Sequence, residues 1–164
     1  MEIQIPGGES PLGKNPVFTR LGNPIPQLIE DKNDIELIRI RAKELLNWHP
    51  MVQLRSLSPY PYNCMGLIFA ARRISISIDH INFVLKEDGY KSVKLSEIIA
   101  GDIVVYRFNN ELSHVGLIME VNRTLLMNSR VISKWGRDGE FIHFMNDVPK
   151  LYGEPVEYYT DRER

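Results

Sequence analysis

The chain has 164 residues, 43% of them hydrophobic and 25% charged, with 20 basic and 21 acidic side chains and a formal net charge of -1. That length suffices for one buried core, and the balanced charge excludes a polybasic nucleic-acid surface or membrane patch. A single cysteine and apolar runs no longer than that of Met65 to Ala71 exclude an internal disulfide, a thiolate-cluster metal site and a helical bilayer span.

Residues 1–30 are expected to form an extended Pro/Gly-rich segment, with prolines at Pro6, Pro11, Pro16, Pro24 and Pro26. Residues 31–164 are expected to form a single domain. The first residues carry neither a basic leader nor an apolar stretch. The expectation is a cytoplasmic protein, or one exported without a cleaved signal peptide.

A helix is expected from about Asp34 to Trp48, where Ile35, Ile38, Ala42, Leu45 and Leu46 recur at helical spacing. Asn33 or Asp31 can cap its start, and Pro50 stands beyond its end. Residues 53–63 read as a loop constrained by Pro59 and Pro61. The apolar stretch from Cys64 to Arg73 then reads as a central buried helix. A further helix covers Asp79 to Glu87, ended by Gly89.

Beyond Gly101 the period changes. Ile103 to Tyr106, Val115 to Met119, Val131 to Ser133 and Phe141 to Phe144 are short runs rich in branched and aromatic residues, separated by turn-like stretches. N-terminal helices packed on an antiparallel sheet describe an α+β fold.

Cys64 follows a proline-constrained loop and opens a helix, which points its sulfur toward unpaired backbone N–H groups. Such a thiol is a candidate nucleophile, and its pKa is expected to fall below the usual value of about 8.5. Among the histidines, His49 and His80 lie at helix ends and read as surface or capping residues. His114 immediately precedes a strand and can present its ring toward a helix N-terminus packed on the sheet.

The run Tyr62-Asn63-Cys64-Met65-Gly66-Leu67-Ile68 resembles the first signature of the NlpC-type cell-wall peptidases. Gly101-Asp102-Ile103-Val104-Val105, followed by His114-Val115-Gly116-Leu117-Ile118, resembles their second. The similarity covers about residues 45 to 145 and extends to the CHAP amidases. It implies a papain-like domain that hydrolyses amide or peptide bonds, peptidoglycan peptides among them, with no metal and no cofactor. Cys64 would be the nucleophile and His114 the base. Tyr62 and Asn63, just before the nucleophile, are expected to contact the substrate.

The third residue, which orients the histidine, is left between His143, Asn128 and Ser133. The resemblance of the segment from Ser133 through Gly136 to His143 and Pro149 to a block in uncharacterised relatives favours His143. A tight hairpin at Asn122-Arg123 would instead favour Asn128. Two positions depart from the family: Asn63 stands where an acidic residue is usual, and Met65 where a small serine is. The expected partner is a peptide or amide substrate, with no nucleic acid and no membrane. Acyl transfer by the same pair, or a degenerate domain that only binds peptides, are the alternatives to hydrolysis.

Overall fold

The computed structural model describes residues 9–10, 16–58 and 60–163. Helix α1, Ile35–Trp48, begins where the Asp34 carboxylate accepts the N–H groups of Glu36 at 2.8 Å and Leu37 at 3.4 Å. The cap is therefore Asp34, neither Asn33 nor Asp31, because only its side chain reaches back over the first turn. Ile38 and Ala42 form the buried face.

Helix α2, Cys64–Phe69, is shorter than the apolar run predicts. It closes at Ala70, and the next two residues, Ala71 and Arg72, take left-handed φ values of 48° and 66°. Neither is glycine, so the turn carries strain. It directs Arg72 onto the buried carboxylate of Glu140, which also accepts from Arg55 at 3.2 Å and from the Tyr62 hydroxyl at 2.6 Å. Helix α3, Ile81–Glu87, follows a 3-10 turn at Ile78–His80.

The strands in chain order are β1 (Glu9–Ser10), β2 (Gln27–Leu28), β3 (Gln53–Ser56), β4 (Lys91–Val93), β5 (Ile103–Phe108), β6 (Glu111–Glu120), β7 (Arg130–Lys134), β8 (Glu140–Phe144) and β9 (Glu154–Thr160). The last seven form one antiparallel sheet in the order β3-β8-β7-β6-β5-β9-β4. The fold is α+β with an antiparallel sheet, as the change of period implies. The stretch read as a loop from residue 53 to 63 contains the edge strand β3.

Alternation along the strands splits the core between the two faces of the sheet. On one face Ile103, Val105 and Val115 pack with Cys64 and Met65 of α2 and with Ile81, Val84 and Leu85 of α3. On the other, Val104, Tyr106, Ile118, Val131, Trp135 and Phe141 pack with Ala42 of α1.

The N-terminal segment lies along the domain where it is described. Strand β1 pairs with β2, Phe18 bridges Pro24, and the Leu28 N–H donates to the Ser75 carbonyl at 2.9 Å. Val17 and Ile25 are buried in the core. The rest of the expected extended segment, residues 1–8 and 11–15, lies outside the described residues. No helix among the described residues is long and apolar enough to cross a membrane.

Candidate active site

The N-terminus of α2 is held by Asn63. Its side-chain oxygen accepts the N–H groups of Gly66 at 2.9 Å and Ile76 at 3.2 Å, and its amide nitrogen donates to the Ile76 carbonyl at 2.7 Å. Gly66 permits this approach, since a Cβ there would stand 1.8 Å from the Ile74 carbonyl oxygen. The Cys64 sulfur is thereby set against the sheet, where the backbone N–H groups of Val115, Met65 and Cys64 itself point at it.

His114 lies on β6, one residue before that Val115. The β6–β7 ladder runs from Leu117↔Ile132 to Glu120↔Arg130 and does not extend to His114. At this unzipped end the imidazole is fixed by rings rather than by hydrogen bonds. Tyr152 stacks on it, with centroids 4.0 Å apart and planes within 9°, and Tyr106 lies at 5.4 Å, tilted by 52°. The Nε2 atom of His114 is buried without a hydrogen-bond partner.

Both candidate residues line one cleft of about 310 Å³, together with Leu28, Asn63, Ser77, Ile78, Ser113, Gly136 and Tyr152. None of these lining residues is charged at neutral pH except through titration of Cys64, His114 or Tyr152. Asn63 is in the cleft wall, but its polar atoms serve the helix cap and Ile76. Tyr62 is not brought to the cleft. Its hydroxyl is taken by Glu140, and the ring lines a separate cavity with Arg55 and Arg72.

His143, on β8, is buried in a closed chain of hydrogen bonds. The Trp135 indole N–H donates to the Ser133 hydroxyl at 3.1 Å, and Ser133 meets His143 Nε2 at 2.7 Å. His143 Nδ1 donates to the Phe144 carbonyl at 2.7 Å, so Nε2 is the acceptor of the Ser133 proton. His143 thus makes no hydrogen bond to His114, although its charge would oppose protonation of that ring. Asn128 ends a 3-10 turn in the long connection between β6 and β7, two residues before β7 begins, and is exposed. The tight-hairpin alternative does not occur.

The electrostatics differ from the sequence expectation. Burial pushes the Cys64 thiol up to about 11, with the three N–H groups and the Lys134 charge pulling the other way. Burial also holds His114 well below the usual histidine value, and brings His143 down to about 4. The expected low thiol pKa fails for a physical reason. A helix of six residues has little dipole to offer, and the neighbouring imidazole is neutral, so desolvation of the sulfur dominates.

Two residues in this region carry no local sequence signal. Tyr152, in the 3-10 turn Lys150–Tyr152, is placed by the next residue, Gly153, whose φ of 71° and approach to the Arg107 carbonyl exclude a Cβ. Lys134 has no exposed surface. Among the described residues no group of three or more His, Cys, Asp or Glu is arranged to hold a metal ion.

No model of a known protein family matches the chain, and no curated protein matches it significantly.

Proposed function

We propose that this protein is a papain-like, NlpC-related thiol hydrolase that cleaves an amide or peptide bond, with Cys64 as nucleophile and His114 as base. The observation that carries the reading is the shared cleft: two residues fifty positions apart line one cavity, with three backbone N–H groups directed at the sulfur. Nε2 of His114 is buried without a hydrogen-bond partner, so Nδ1 is the nitrogen assigned to take the thiol proton in this reading.

The resting pair is neutral, thiol beside imidazole. Attack on a bound carbonyl is therefore concerted with proton transfer: the sulfur–carbon bond forms as the S–H proton passes to His114. The carbonyl oxygen gains negative charge, which the Cys64 and Met65 N–H groups can share. Collapse of the intermediate breaks the carbon–nitrogen bond, and His114 returns the proton to the leaving amine. Water then releases the acyl group by the same route. Tyr152 keeps the ring in plane for both transfers, and the charge His143 would carry disfavours protonation of that ring. Acyl transfer to an amine would use the same steps with a different final acceptor.

One observation favours a second reading, a peptide-binding domain with a structural cysteine: the thiol is buried and held near 11. A peptide bearing an acyloxymethyl ketone separates the two, since it traps a cysteine only where base and oxyanion donors act together. Hydrolase chemistry predicts labelling of native Cys64 that is lost in Cys64→Ala and falls at least about tenfold in His114→Ala. Labelling seen only after denaturation would establish the structural cysteine.

A further inference from the structure

Lysine is almost never fully buried unless something pairs with its charge. Lys134 is wholly buried, at the last position of β7. The alternation of that strand turns Val131 and Ser133 toward the α1 side and Ile132 and Lys134 toward α2. Lys134 therefore lies on the face that receives Cys64. Its register partner is Glu140, but that carboxylate is occupied by Arg72, Arg55 and Tyr62. Among the described residues no carboxylate lies within ion-pair range of the ammonium.

The contacts it does make are a hydrogen bond to the Gly136 carbonyl at 2.8 Å and a position 4.8 Å above the Tyr62 ring. Gly136 is part of the Cys64 cleft. The acidic groups that reach it through space are Asp138, Glu30 and Glu140, and the remaining partner is the Cys64 sulfur. The coupling is mutual, since the Lys134 charge favours the thiolate and the thiolate favours the ammonium.

We propose that Lys134 is a positioning residue for Cys64: a buried cation on the α2 face of β7 that stabilises the negative charge on sulfur when the thiol gives up its proton. As the S–H bond breaks during the concerted attack, the proton goes to His114, negative charge develops on sulfur, and Lys134 keeps all its own protons. The role rests on Cys64 being the nucleophile. It supplies what the neutral imidazole and short helix do not, a fixed positive charge beside a desolvated sulfur.

Iodoacetamide alkylation of Cys64 reads this charge without any substrate. At pH 7, Lys134→Met and Lys134→Gln should each slow alkylation about tenfold, and Lys134→Arg should stay within about threefold of wild type. Gln retains a donor for the Gly136 carbonyl, so a role limited to tying that turn would leave its rate unchanged. Rates within twofold of wild type in folded Met and Gln variants overturn the proposal.

The wild-type pH profile needs no variant to fold. Lys134 loses its proton near pH 8, so the alkylation rate should climb up to that pH, level off above it and climb again toward 11. A straight tenfold rise per pH unit from 7 to 10 overturns the proposal equally. If the rates follow Lys134 while no amide substrate is ever cleaved, the hydrolase reading fails and the electrostatic role stands.

Discussion

Replacing Lys134 by Met should change how stability depends on pH, by an amount that follows from burial. Desolvation brings the ammonium from 10.5 to about 8 in the folded protein, which corresponds to about 3 kcal/mol of charging cost at neutral pH. Below pH 8 the group is protonated in both folded and unfolded chains, and the native state bears the whole cost. Between about 8 and 10.5 the unfolded chain holds the proton and the folded one does not, so stability rises with pH. About 2.5 kcal/mol of the cost is recovered by pH 10. Met keeps most of the stem in place, and the loss of the bond to Gly136 is nearly the same at both pH values. Wild type minus variant, measured by urea unfolding at pH 7 and pH 10, should therefore move by about 2.5 kcal/mol in favour of wild type at the higher pH. Parallel profiles, within about 0.5 kcal/mol, would mean that the ammonium is compensated and costs nothing to bury.

Tyr152→Phe preserves the ring that stacks on His114 and should keep turnover within about threefold, whereas Tyr152→Ala should lower kcat at least about tenfold with the fold intact by circular dichroism. Equal losses in the two variants would place the function of Tyr152 in its hydroxyl instead. His143→Ala removes the acceptor behind Ser133 and should lower kcat about tenfold, while Asn128→Ala, at an exposed turn, should be near wild type in the same assay. The reverse order would remove the Ser133–His143 pair from the site.

The parts of the fold legible in the sequence are those where packing follows a simple period. Ile103 to Tyr106 and Val115 to Met119 alternate sides of a central sheet, so apolar side chains on both faces mark the strands. Strand β3 escapes notice because Gln53, Leu54 and Arg55 sit exposed at the sheet edge and show no buried alternation. Strand β9 begins Glu-Pro, and Pro155 stands where its register with β5 shifts, so its first residues look like a turn. His114, expected just before a strand, lies within β6, while the helix start at Cys64 was legible. Tyr152 and Lys134 were not, since stacking and burial are set by contacts across the sheet. Lys134 in particular has the appearance of an ordinary solvent-facing residue between Ser133 and Trp135. The thiol pKa departs from the sequence expectation because chain order shows a helix start but not the length of the helix or the dryness around the sulfur.

The structure also gives a reason for an amide rather than a carboxylate at Asn63. Its amide meets both the N–H and the carbonyl of Ile76, as a neighbouring strand would, while the same oxygen caps α2. A carboxylate could cap the helix but has no hydrogen to offer, and would face the Ile76 carbonyl as one acceptor against another. One planar group thus rivets the N-terminus of α2 to Ile76, beside Ser77 and Ile78 of the cleft wall. The spacing between Cys64 and the Ile78 side of the cleft is therefore held by the hydrogen bonds of a single side chain.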